Sequence, residues 1–430
     1  MPTRLPTLTR AEAHRAIASR GFDRPFPSTV TDHEVGIELE WLAVDAVEPS
    51  RPAARDAVRT AVSAVDPLPG GSRITFEPGG QVELSSPPLP LGRACAATAR
   101  DAAVLGDALA ASGVALVALG LEPGPRRERT LHSPRYDAME AYFDSSNAAG
   151  RTMMRSTAAL QVNLDLGTGS VVEARWRAAH DLGPMLAAAF ANSPIGADGP
   201  AGYRSTRLAV WSEIDAYRTL APPPLGDCRD AWATYALAAP VMLVRASAEH
   251  HVPVLTRLPF GDWIDSGHEL GFPTLEDLEY HLTTLFPPVR PRGWLELRML
   301  DAVPSPWWCA AVAVSAVLVG DSRLMARVAS ALAPTRGRWS AAARDGLADP
   351  TFAAAARVCF DVALDALPAA GADAATIAAT EEFVARYVAR GRCPADDCLD
   401  AWRAGRSPLP PPDNAGGRRL HAVSIESAWT

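Results

Sequence analysis

Four segments of the chain alternate apolar and polar residues with the period of two that a strand requires. In 36–41, Glu38 and Glu40 share one face, opposite Ile37, Leu39 and Trp41. In 76–86, Gln81, Glu83 and Ser85 oppose Val82 and Leu84, and Glu77 stands just before a Pro-Gly-Gly turn or bulge. In 160–166, Gln161, Asn163 and Asp165 oppose four apolar residues. In 294–300, Glu296 and Arg298 oppose Leu295, Leu297 and Met299.

Other stretches carry different signals. Thr9 and Glu12 form a capping box opening a helix that stops before Gly21. Helices are expected at 53–65, 92–112, 135–143, 171–192 and 229–248, and after Thr274 to about Phe286. A buried strand is expected at 114–120 and extended chain at 252–260. The Pro- and Gly-rich stretch 193–225 reads as a long loop. Residues 304–404 are Ala-rich and almost wholly helical, and 407–430 reads as an extended tail. Strands before about 300 and helices after it predict an α+β fold with a helical C-terminal part. We read 1–430 as one catalytic domain, with a sheet-containing core at 22–303, helices at 304–406 and the tail beyond. No GxGxxG opens a helix after a strand, so a Rossmann site is not supported.

If the four alternating strands share a sheet, one face gathers Glu38, Glu40, Glu83 and Glu296, and Glu77 beside them. Two carboxylates about 5 Å apart repel by roughly 3 kcal/mol at an effective dielectric near 20. A single acidic strand is usually a solvated face. Four together, interleaved with Gln161, Asn163 and Arg298, point instead to bound cations. Mg²⁺ is the natural choice, because it prefers carboxylate oxygens and shares them with phosphates. On this reading Glu38→Gln or Glu296→Gln should remove a metal ligand yet leave stability unharmed or raised.

Arginines supply the second constellation. Arg155 precedes the strand at 160–166 and is expected to enter the same cleft. Arg207 follows a Gly-rich segment that also carries Tyr203, with Trp211 just beyond. Arginine holds carboxylate or phosphate by two parallel charge-assisted bonds.

Composition narrows the chemistry. All 41 basic residues are Arg, so Schiff bases, a Walker-A lysine and a Ser–Lys dyad are excluded. A net charge of −8 argues against a nucleic-acid partner. The six dispersed cysteines match no zinc spacing and read as free thiols. The longest apolar run, 307–320, is too short to span a bilayer and reads as a buried helix. No signal peptide is indicated, so a cytoplasmic location is expected. The residues alone thus reach a Mg²⁺–phosphate cleft with arginine clamps.

GIELEW (36–41), FEPGGQVELSSPP (76–88), GRTMMRSTAALQVNLD (150–165), ANSPIGADGPAGYRSTRLAVW (191–211) and HLTTLFPPVRPRGWLELRMLDAVP (281–304) occur in order. Together they resemble the glutamate–cysteine ligase family, in its plant-type and actinobacterial branch. The resemblance implies a glutamine-synthetase-like fold, a curved, mainly antiparallel sheet lining a funnel. It implies ATP-dependent joining of the L-glutamate γ-carboxyl to the L-cysteine amine through γ-glutamyl phosphate, for ergothioneine synthesis in that branch. It implies Glu38, Glu40, Glu77, Glu83 and Glu296 as metal ligands, with Glu38, Glu296 and Arg298 central to catalysis. Arg155, Asn163, Arg207, Arg298, Tyr203 and Trp211 become substrate- or ATP-binding residues. Gln161 falls where some distant relatives carry a metal-site His, which suggests an orienting role. Two alternatives stay open: a ligase of the same fold using another amine, and a MgATP-binding module without catalysis.

Overall fold

A computed structural model describes residues 8–23, 34–222, 226–269 and 271–414. Its centre is an eight-stranded antiparallel sheet: β1 (Glu34–Asp45), β2 (Arg73–Phe76), β3 (Val82–Ser85), β4 (Leu89–Pro90), β5 (Val114–Val117), β6 (Ala159–Leu164), β7 (Val289–Pro291) and β8 (Leu295–Asp301). The order is β7-β8-β6-β1-β3-β2, with β4 and β5 also paired to β1. All four polar-faced segments therefore lie in one sheet, with the longest strand at its middle.

The apolar face of the sheet is the floor of the core. Ile37, Leu39, Leu84, Val162 and Leu297 are all buried. Helices Leu91–Ala111, Ser170–Ala189 and Trp307–Gly320 pack over it. Every residue from Trp307 to Val319 is buried, which explains a helix that is apolar on all sides. Among the described residues, no single helix is long and apolar enough to cross a membrane. The largest apolar cluster runs from Ala13 to Cys398 and joins the sheet to the C-terminal helices.

Both bonds of the Thr9–Glu12 capping box form, but the helix runs to Phe22, past Gly21. Residues 73–86 are a hairpin, not one strand. Gly80, at φ +85°, lets the chain reverse between β2 and β3. The stretch 193–225 is not simply loop. Ser205 and Asp215 accept backbone N–H bonds that start helices Thr206–Ile214 and Ala216–Thr219, so local capping overrides the Pro and Gly content. The expected helix at 229–248 ends at Ala238. Beyond Pro240, Leu243–Arg245 pairs with His251–Pro253 as a hairpin. Strand β7 was not expected. Gly293, at φ +81°, turns the chain so that β7 pairs with β8.

The tail is tied down where it is described. Asn414 accepts from the Leu116 N–H at 2.9 Å and donates to the Val114 carbonyl at 2.8 Å. Asp413 accepts from Trp41 Nε1 at 2.7 Å. The remainder of the expected extended tail, 415–430, lies outside the described residues.

Candidate active site

Register brings the carboxylates together. Glu40 lies directly opposite Glu83, and Glu38 lies between Ser85 and Gln161 on its two neighbouring strands. Glu296 faces Asn163. A bulge follows: Leu297 pairs with Val162 but Leu300 with Leu160. The extra residue leaves Arg298 on the acidic face and also turns Asp301 toward it.

Each polar neighbour has a defined task. Asn163 donates to Glu38 at 2.9 Å and accepts from Trp294 Nε1 at 3.0 Å. Gln161 donates to Glu40 at 3.0 Å and accepts from Arg298 Nη1. An amide can bridge an anion and a cation in this way because it carries both a donor and an acceptor. Glu40 also accepts from the Ala159 N–H at 2.8 Å. Glu83 accepts from Thr75 and Ser85 hydroxyls at 2.6 and 3.0 Å.

The carboxylates divide into two groups. Glu38, Glu40, Glu77 and Glu83 have no ion-pair partner among the described residues. Burial and the charges of Glu296 and Glu83 raise Glu38 to about 7. Burial and Glu83 raise Glu40 to about 7, and burial with Glu40 and Glu83 pushes Glu77 well above the carboxylate range. Glu296 is the reverse. Arg290 clamps it with bonds of 2.5 and 3.0 Å, and Arg292 and Arg298 reach it at 3.3 and 3.1 Å. Burial opposes its charge, but these three guanidiniums outweigh burial and hold it ionised far below the usual range. The stability expectation for Glu296→Gln is therefore overturned: it is a neutralised anion, not a repelling one.

The arginines also separate. Arg298 stacks over Trp211 at 5.6 Å and Phe286 at 6.0 Å. Burial disfavours its charge, but Glu296, Glu38 and Glu40 raise its pKa overall. Arg207 lies over the other part of this corner, 5.4 Å from the Trp211 ring, and donates to the Arg298 carbonyl at 3.0 Å. Arg207 Nε and Nη1 are buried with no hydrogen-bond acceptor. Arg155 does not meet the acidic strands by its side chain. It lies on helix Ala149–Ser156 and pairs with Glu140. Its backbone carbonyl instead presses on Gly79 in the turn after Glu77. Tyr203 lies near Arg344, whose charge it affects, and has no described contact with the acidic face.

Arg290, Asp301 and Tyr136 escaped the sequence reading. Tyr136 stands close enough to Glu77 and Glu83 that, after burial, their charges raise its hydroxyl pKa. The Pro-Arg-Gly-Trp turn was the available signal for Arg290, since a hairpin there sets Arg290 opposite Glu296. Nothing in strand alternation signals Asp301, which depends on the bulge.

The donor set suits a hard cation. It is all oxygen, half-buried and short of compensating charge, which fits Mg²⁺. No three described His, Cys, Asp or Glu side chains converge tightly enough to hold one ion. All six cysteines are free and buried.

Residues 34–417 match glutamate–cysteine ligase family 2. The chain belongs to this family. The glutamate–cysteine ligase EgtA of Mycolicibacterium smegmatis is 44% identical over 376 residues, covering 85% of this chain and 86% of that protein. EgtA of Mycobacterium tuberculosis is 42% identical, with 86% of each chain covered. The chloroplastic glutamate–cysteine ligase of Brassica juncea is 31% identical, over 65% of this chain and 55% of that protein. A crystal structure of glutamate–cysteine ligase from Francisella tularensis in complex with AMP shares the fold, with a TM-score of 0.52 at 14% identity, over 90% of this chain and 87% of that one. The family's α+β architecture with its antiparallel sheet is therefore present, and the chain is a ligase.

Proposed function

We propose that the chain joins the γ-carboxyl of L-glutamate to the amine of L-cysteine at the expense of ATP, giving γ-glutamylcysteine, and that this product feeds ergothioneine synthesis. The observation that carries this reading is the set of carboxylates Glu38, Glu40, Glu77 and Glu83, without ion-pair partners, beside Arg298 and the buried, incompletely bonded Arg207, in a chain of this family. We read the chain as one catalytic unit, supported by the core shared between the sheet and the C-terminal helices.

A carboxylate is a poor acceptor for an amine, so it must gain a leaving group. The glutamate γ-carboxylate oxygen attacks the terminal phosphorus of ATP, and ADP leaves. The cysteine amine then attacks the acyl carbon, loses a proton, and phosphate departs. Glu38, Glu40, Glu77 and Glu83 would hold Mg²⁺, which supplies charge neutralisation at the phosphates. Glu296 can join them only by releasing an oxygen from its arginines. Arg298 sets a fixed positive charge beside these groups, and Gln161 keeps it aimed at the acidic face. Arg207 would supply a second fixed positive charge for an anionic substrate group, its buried Nε and Nη1 having no acceptor. Such chemistry rests on positioning and electrostatics, consistent with the lack of a lysine or an exposed thiol.

The test is ADP release by the purified protein with MgATP, omitting glutamate and cysteine in turn, with the product's mass measured. ADP that requires both, with the γ-glutamylcysteine mass, is expected. Turnover with glutamate and a different amine would move the assignment to that amine. Binding of MgATP with no turnover for any amino-acid pair would overturn the proposal.

A further inference from the structure

The strand bulge that carries Arg298 also buries Asp301, and no part of the chemistry above uses that carboxylate. Asp301 Oδ2 accepts from the Asn192 N–H at 2.8 Å and from Ser193 Oγ at 2.7 Å. Oδ1 accepts from Ser205 Oγ at 2.9 Å and stands 3.7 Å from Arg207 Nη1. The same two hydroxyls go on to receive the N–H groups of the next helix: Arg207 donates its own N–H to Ser193 Oγ at 3.1 Å, and Leu208 donates to Ser205 Oγ at 3.2 Å. One carboxylate thus fixes both ends of the loop 193–205 and the first turn of the helix that bears Arg207.

The socket around it is rigid. Asn192 donates to the carbonyls of Ala118 and Ala302 at 3.1 and 2.8 Å. A Cβ placed on Gly120 would sit 2.5 Å from Asp301 Cγ, so the backbone closes on the carboxyl. Asp301 is 1% exposed and Arg207 2%. A buried ion pair of this kind seldom adds stability over apolar packing, and its better-attested use is to fix geometry. Here the pairing is also incomplete. At 3.7 Å Asp301 steadies the guanidinium electrostatically without occupying a hydrogen bond, and Arg207 Nε and Nη1 are left without an acceptor. A buried guanidinium with unmet donors is prepared to receive a planar anion.

We propose that Asp301 is the positioning residue for Arg207, holding its buried guanidinium, with Nε and Nη1 lacking an acceptor, where a carboxylate of bound glutamate would be recognised. The proposal rests on the ligase reading above. Asp301 touches neither substrate nor reacting atoms and acts through Arg207 and the Ser193–Ser205 loop.

The experiment is a double-mutant cycle read in steady-state kinetics of ADP release, with glutamate and ATP varied separately. Asp301→Asn keeps the size of the side chain and an oxygen for the serines but removes the charge. It is expected to raise the glutamate KM by about 10- to 100-fold, with kcat and the ATP KM changed less than about threefold. In an Arg207→Ala background the same substitution should add almost nothing, because the group it positions is gone. Ser193→Ala and Ser205→Ala, which loosen the carboxylate without burying a new group, should each raise the glutamate KM in the Arg207 background alone. They keep the test valid if Asp301→Asn does not fold. An equal effect of Asp301→Asn with and without Arg207, or a shift in the ATP KM instead, would overturn the proposal. Wild-type protein that neither turns over nor binds glutamate would overturn the ligase reading first. Wild-type turnover with an unaltered Asp301→Asn variant would sink this inference alone.

Discussion

Glu40 and Glu83 face one another as direct cross-strand partners at the centre of the sheet, and neither forms an ion pair among the described residues. Two strands across the sheet from Glu40, Glu296 sits inside three arginines. The acidic face is thus split into a compensated corner and an uncompensated one. That division governs how the site should respond to pH, metal and substitution.

The uncompensated corner makes stability depend on pH. Glu38 titrates near 7 in the folded protein against 4.5 as its ordinary value. A raised folded pKa stabilises below the unfolded value, and that stability is lost as pH rises through the folded one. Without divalent metal, Glu38→Gln should be more stable than wild type at pH 8 by up to about 3 kcal/mol. The gap should narrow to under about 1 kcal/mol at pH 5 and close below 4.5. Urea unfolding in EDTA at the two pH values measures this; a gap independent of pH would contradict the raised carboxylate.

Metal binding should displace protons from the same groups. Burial and neighbouring carboxylates raise both Glu38 and Glu40 to about 7, and Mg²⁺ needs them ionised. Titration calorimetry in two buffers of different ionisation heat should show proton release at pH 6.5–7 that vanishes near pH 9. Mg²⁺ should also raise the melting temperature of wild type but not of a Glu40→Gln, Glu83→Gln double variant. Equal melting shifts in both proteins would remove these residues from the metal site.

In the compensated corner the sign reverses. Glu296→Gln leaves Arg290 buried with its bidentate partner neutralised, a change expected to destabilise by about 3–5 kcal/mol. Denaturant unfolding at pH 7 checks it, and a variant as stable as wild type would show that the arginines do not depend on Glu296. Loss of turnover alone would not separate these cases; the stability measurement does.

The turn that follows Glu77 is under backbone constraint. A Cβ at Gly79 would lie 1.9 Å from the Arg155 carbonyl oxygen, and backbone cannot step aside as a flexible side chain can. Gly79→Ala should cost about 2 kcal/mol or more and lower Mg²⁺ affinity by displacing Glu77. Gly196→Ala, whose φ like that of Gly79 is not positive and whose Cβ meets only ordinary contacts at 3.7 and 3.8 Å, serves as the control. Equal losses for the two variants would mean that the contact with Arg155 does not matter.

Much of the site was legible before any fold was drawn. Strand alternation assigns each side chain to a face by a local rule, so Glu38, Glu40, Glu83, Gln161, Asn163, Glu296 and Arg298 could be grouped from spacing alone. The capping residues and the all-apolar helix 307–320 were equally local. Helix 229–248 failed because its composition continues past the point where strand pairing takes over. The loop 193–225 failed because Ser205 and Asp215 acted as caps within a Pro- and Gly-rich stretch.

What the sequence by itself determined is which residues share a face, and that no lysine takes part. What only the tertiary structure decided is the charge state of that face. Glu296 and Glu38 look alike in alternation, yet one is clamped by Arg290 across a hairpin and the other is left to repel its neighbours. Asp301 reaches Arg207 only because one extra residue in the strand turns it, and because a loop distant in sequence closes on it. Electrostatic interactions depend on distance and burial, and neither is encoded in the order of residues along a strand.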